Sequence, residues 1–125
     1  MEQVSYVIIG GGLAGVAAAD AIRRRDKTGT LVLVCAEPHP PYDRVPLSKD
    51  YLLGNVERQQ VFLRQARFYE RNKIALLHHA ATALDLQARV ATLADGSQLG
   101  FDKLLLATGG RARRLPIPGT DLQGV

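Results

Sequence analysis

Gly10-Gly11-Gly12-Leu13-Ala14-Gly15 fits the spacing G-x-G-x-x-G, whose chemistry is the binding of a nucleotide pyrophosphate. Gly10 is placed to make a tight turn, Gly12 to let the backbone approach a phosphate, and Gly15 to let a helix lie close on a strand. A helix starting here points free N–H groups and a partial positive charge at the phosphates. Glu37 lies 22 residues beyond Gly15, where a carboxylate can accept hydrogen bonds from both hydroxyls of an adenosine ribose. An isolated glutamate after a strand is ordinarily a solvated loop residue; the glycine motif shifts the reading to ribose binding. The same carboxylate argues against a 2′-phosphate. These residues do not distinguish NAD from FAD.

The motif has meaning only between a strand and a helix, and the flanking sequence predicts both. Val4 and Tyr6 to Ile9 form a short run rich in β-branched residues, predicting a strand buried on both faces. Ala14, Ala17, Ala18, Ala21 and Ile22 recur at helical spacing, predicting an apolar stripe on a helix that ends near Asp26. Thr30 to Cys35 predicts a second buried strand, closing a right-handed β-α-β unit. Pro38, Pro40, Pro41 and Pro46 then exclude regular structure. Ser48 is expected to cap a short helix through Leu53 that stops at Gly54. A helix is expected around Arg64 to Asn72 and a strand at Ile74 to Leu77. Thr82 to Gly100, with its Asp95-Gly96 turn, predicts a small antiparallel meander, and Lys103 to Ala107 a further buried strand.

The 125 residues amount to about one domain, and 46% hydrophobic residues exclude disorder. The single Cys35 excludes a disulfide scaffold, and no apolar run approaches the ~18 residues of a membrane span. Met1 to Ser5 does not resemble a signal peptide, so a cytoplasmic α/β protein is expected. The net charge of +4 gathers at Arg23, Arg24, Arg25 and at Arg111, Arg113, Arg114. Without a nucleic-acid module the first cluster reads as the solvated last turn of a helix, and no nucleic-acid or membrane partner is expected. Cys35 reads as a buried, inert thiol. His78 and His79 have no cysteine or acidic neighbour at ligand spacing, so no metal site is expected.

The segment His39-Pro40-Pro41-Tyr42-Asp43-Arg44-Val45-Pro46-Leu47-Ser48-Lys49-Asp50 is not a generic linker. With the N-terminal glycine motif and Leu105-Leu106-Ala107-Thr108-Gly109, it resembles the FAD-dependent pyridine nucleotide-disulfide oxidoreductases. The resemblance covers nearly the whole chain and is strongest to the NAD(P)H-dependent ferredoxin, rubredoxin and putidaredoxin reductases. It departs from the commonest form at Val45, where many relatives carry proline. It implies an incomplete Rossmann-like FAD-binding domain, a parallel sheet with a small antiparallel β-meander. Residues 1–125 would be its N-terminal segment, with the NAD(P)H domain and C-terminal domain absent.

The resemblance also implies residue roles. Gly10, Gly12, Leu13, Ala14 and Gly15 would cradle the FAD pyrophosphate, and Glu37 the adenosine ribose. Arg44 would reach the adenine or pyrophosphate. Pro46 would pack on the flavin ring, and Lys49 would place positive charge near flavin N5. Ala81 would offer its backbone to the adenine edge, and the Ala107-Thr108-Gly109 turn would approach the cofactor. Disulfide reductases of this superfamily carry a redox cysteine pair after the acidic residue; none stands between Glu37 and Leu53. Electrons would thus pass from NAD(P)H through FAD directly to an external carrier, a small acidic ferredoxin or rubredoxin. Two alternatives stand: a free-standing adenine-nucleotide module, and a flavin enzyme with another acceptor such as oxygen or nitrite.

Overall fold

The computed structural model describes residues Met1–Val125. Chain order runs β1 (Glu2–Ile9), α1 (Leu13–Arg25), β2 (Leu31–Val34), α2 (Arg58–Val61), α3 (Ala66–Arg71), β3 (Ile74–Leu77), β4 (Ala81–Asp85), β5 (Val90–Leu93) and β6 (Gln98–Leu106). The six strands form one sheet in the order β3-β2-β1-β6-β5-β4. The first four are parallel, with Ile8 opposite both Leu33 and Leu105, and β5 and β4 join antiparallel. Strands buried on both sides need near-continuous apolar sequence, and Leu31–Val34 supply it, all four being buried.

Each face of the sheet carries its own core. On one side Ile8, Leu31, Leu33 and Cys35 pack with Val16 and Ala19 of α1, Tyr69 of α3 and Ile74. On the other, Val7, Ile9, Val32 and Val34 pack with Ala91 and Leu93 of β5 and with Leu99 and Phe101 of β6. Because β5 and β2 share that core although two strands separate them, the meander curls over this face.

Four expectations are corrected. The helix faces its strands with Gly15, Val16, Ala19 and Arg23, while Ala14, Ala17 and Ala21 are exposed. Alanine has so little apolar surface that its periodicity does not set the buried side; Val16 and the clearance at Gly15 do. Arg23 is not solvated: it is 4% exposed, and its guanidinium donates to the carbonyls of Asp26, Gly29, Asn72 and Lys73. Only Arg24 and Arg25 fit the solvated reading.

The helix expected from Ser48 to Leu53 is instead a 3-10 turn at Val45–Ser48 followed by hydrogen-bonded turns. Lys49 leaves the helical region at φ −131°, ψ −110°, which ends the 3-10 segment. Tyr51 N–H then donates to the Pro46 carbonyl and Leu53 N–H to that of Lys49. The fourth correction concerns β6, which is one nine-residue strand rather than a meander arm plus a separate buried strand. Its first residues pair with both β5 and β1; beyond Gly100 only β1 continues. Leu105 and Leu106 are exposed, since no helix of this chain lies over that end. The short α2, whose Glu57 N–H donates to Gln60 Oε1, was hidden by its length of four residues.

Candidate nucleotide-binding site

A parallel sheet delivers the ends of its strands to one edge, and here that edge holds a cavity of about 570 Å³. Three hydrogen bonds lock the strand ends together: Gly10 N–H to the Val34 carbonyl (2.9 Å), Cys35 N–H to Leu77 (2.8 Å) and Ala107 N–H to Ile9 (2.8 Å). A crevice outside the carboxyl ends of parallel strands, where the connections diverge, is where open α/β sheets hold ligands.

The three motif glycines meet different surroundings. Gly10 has φ +122°, and a side chain there would run into the backbone of Ala107. A side chain on Gly15 would strike the Gly10 carbonyl and reach Leu33 Cδ1. At Gly12, by contrast, nothing lies within 4 Å of where a Cβ would stand. Gly10 and Gly15 are thus required by packing, and Gly12 keeps bare backbone at the cavity wall. Gly12 is also the N-cap of α1, with no side-chain cap and no acidic residue in the first turn, so the leading N–H groups are left for an incoming anion.

Gly10, Gly12, Leu13, Ala14, Glu37, Arg44, Ala81, Ala107, Thr108 and Gly109 all line this cavity. Gly15 lies behind its wall. Pro46 and Lys49 lie outside it, on the 3-10 turn and the residue after it. Also on the wall, though given no part in the site by the sequence reading, are Tyr42, His79 and Arg111. The proline-rich composition around Tyr42 masks its role, because a lone aromatic residue in a loop has no periodicity to reveal where it points.

Glu37 is held from several directions. Tyr42 Oη donates to its Oε2 at 2.7 Å, and Arg44 Nη2 approaches its Oε1 at 3.3 Å. His78 Nδ1 lies 2.9 Å from the Glu37 carbonyl, a hydrogen bond that puts the ring proton on Nδ1. The hydrogen bond to Glu37 raises the Tyr42 phenol above its ordinary pKa. Cys35, 3% exposed at the cavity floor, has its thiol pushed up to about 11 by burial and then by the Glu37 charge. At the rim, His79 Nε2 lies 3.4 Å from Asp95 Oδ2; hydrogen bonds from Ser97 hold Asp95 below the usual carboxylate range.

Residues 4–125 match the family model described as pyridine nucleotide-disulphide oxidoreductase. The chain belongs to that family. It is 42% identical to rhodocoxin reductase of Rhodococcus erythropolis, covering 98% of this chain and 29% of that protein. It is 37% identical to the rubredoxin-NAD(+) reductase of Pseudomonas putida, over 98% of this chain and 32% of that one. Among solved structures, the covalent putidaredoxin reductase–putidaredoxin complex superposes with a TM-score of 0.86 at 37% identity, over 95% of this chain and 29% of that chain. The chain therefore spans about a third or less of the length of these relatives.

Proposed function

We propose that this chain is the first FAD-binding segment, residues 1–125, of a flavoprotein that oxidises NAD(P)H and passes electrons to a small redox protein. The observation that carries the reading is the cavity wall, which the bare Gly12 backbone and the uncapped start of α1 share with Glu37. An anion-receiving helix start and a carboxylate in one cavity meet the demand of an adenosine pyrophosphate for a phosphate and a ribose partner, and the cavity falls within the roughly 300–1,000 Å³ of small-molecule sites.

The residues present fit the group. The backbone N–H groups of the first turn of α1 would hold the pyrophosphate, with Leu13 and Ala14 beside it. Glu37 would accept the ribose hydroxyls, Ala81 would meet the adenine edge, and Arg44 would bring a planar cation to the nucleotide. The Ala107-Thr108-Gly109 turn would close the far side. Bound FAD supplies a two-electron acceptor for hydride that releases electrons one at a time. Lys49 and Pro46 would serve its ring once the loop carrying them is seated. No cysteine pair stands between Glu37 and Leu53, the segment after the acidic residue, which supports transfer to an outside carrier.

The names of the relatives support a ferredoxin- or rubredoxin-type carrier. A net charge of +4, with Arg111, Arg113 and Arg114 exposed, suits an acidic one. A cytoplasmic location, where reduced nicotinamide is made, goes with this reading. The NAD(P)H domain and a C-terminal domain would complete the enzyme. One observation favours a second reading, an adenine-nucleotide module without redox chemistry: Pro46 and Lys49 stand outside the cavity. The complete gene product, purified and scanned in the visible, separates them. A flavin spectrum and tighter binding of FAD than of ADP support the flavoprotein; a colourless protein that takes up no FAD overturns it.

A further inference from the structure

We propose that Tyr42 is a positioning residue for the ribose site, holding the Glu37 carboxylate in the orientation that receives the two ribose hydroxyls. This rests on the nucleotide reading above.

Glu37 sits beyond the end of β2 in a non-helical bend, and its side chain remains substantially exposed, so nothing in its own backbone fixes the carboxylate. Its main chain is tied down by His78. Its side chain is tied down chiefly by Tyr42, whose 2.7 Å bond to Oε2 is much shorter than the 3.3 Å approach of Arg44 to Oε1. A phenol donating to a carboxylate makes a charge-assisted bond, stronger and more directional than a neutral one.

Tyr42 can act this way because it is itself anchored. It forms an isolated bridge with Phe62, flanked by Asp43 N–H to the Val61 carbonyl (2.8 Å) and Leu63 N–H to the Pro41 carbonyl (3.0 Å). The preceding Pro41 is buried and adds a fixed φ. The Tyr42 ring lies between the nucleotide cavity and a smaller one of about 160 Å³ lined by Leu47, Tyr51 and Phe62. One bonded carboxylate oxygen still has a free lone pair, so Tyr42 orients Glu37 without consuming its capacity to accept from ribose. Preorganising the carboxylate spares the nucleotide the cost of immobilising a rotamer-rich side chain on binding.

The test uses the complete gene product stripped of FAD, with FAD uptake as the signal and two competitors, ADP and 2′,3′-dideoxy-ADP. The unmodified protein prefers ADP. Tyr42→Phe, which keeps the ring and its packing, weakens ADP by about fivefold to tenfold and leaves dideoxy-ADP within about twofold. Glu37→Gln removes most of the same preference, and adding Tyr42→Phe to it changes ADP by less than about twofold. Equal weakening of both competitors by Tyr42→Phe, or no change in either, overturns the proposal. No FAD uptake by the unmodified protein overturns the nucleotide reading instead.

Discussion

Three glycines in one motif are glycines for different reasons, and the difference predicts different phenotypes. Gly12 has extended backbone, φ −89°, ψ −169°, and open space where a Cβ would stand, so Gly12→Ala retains the fold. Its melting temperature should stay within about 4 °C of the unmodified protein, while FAD affinity falls about tenfold or more because a methyl occupies the phosphate approach. Gly10→Ala and Gly15→Ala meet backbone directly, and both should yield little folded protein by circular dichroism. A Gly12→Ala protein that melts far below the parent would contradict the assignment. The spacing in sequence was enough to identify the motif, because it falls where a strand, a turn and a helix follow one another over Glu2–Arg25. It carried no information about Tyr42, His79 or Arg111, which reach the cavity wall through loops far along the chain.

At the scale of elements, α1 shows how far periodicity carries. Existence, limits and direction of the helix follow from Leu13–Arg25; its buried side does not, because alanines on opposite faces compete on equal terms. Arg23 was invisible for a related reason: three consecutive arginines look alike until tertiary neighbours select one. Its guanidinium joins the end of α1 to the turn after α3, through the carbonyls of Asn72 and Lys73. Lysine cannot reproduce that fork of donors, so Arg23→Lys should cost about 2–4 kcal/mol in denaturant unfolding, whereas Arg24→Lys or Arg25→Lys should cost less than about 0.5 kcal/mol.

The neighbouring turn adds a pH response. Asp26 accepts hydrogen bonds from Gly29 N–H (2.8 Å), Thr28 N–H (2.9 Å) and Tyr6 Oη (2.9 Å), which together hold it well below the ordinary carboxylate range. A depressed folded-state value means the contribution is complete above the unfolded value near pH 4 and is lost as pH falls toward the folded one. Asp26→Asn should therefore be less stable at neutral pH and show a shallower fall in melting temperature below about pH 4.

Across the whole molecule, the β-α-β start, the strand at Ile74–Leu77 and the meander were all legible, because each is a local pattern bounded by glycine or a turn. The insertion of β6 between β1 and β5 was not, since strand order depends on pairing between residues about a hundred positions apart. That pairing creates the cavity by bringing Ala107 against Gly10. It also leaves Leu105 and Leu106 exposed on a strand whose outer edge has no strand partner beyond the Phe101 N–H bond to the Arg89 carbonyl, a surface that further sequence would cover in the proposed enzyme.

The buried thiol beneath the glycine turn makes the site its own clock. A side chain on Gly11 would run into Cys35 Sγ, and Cys35 is 3% exposed, so an alkylating reagent reaches it only when the cavity floor opens locally. With the thiol pushed up to about 11, only roughly one molecule in a thousand is thiolate at pH 8, and labelling in the native protein should be slower than in urea by orders of magnitude. A nucleotide seated against Gly12 would slow it further, in proportion to occupancy. Plotting alkylation rate against added FAD should then return the same dissociation constant as the flavin spectrum; a rate indifferent to FAD would mean that the cavity floor opens independently of the ligand.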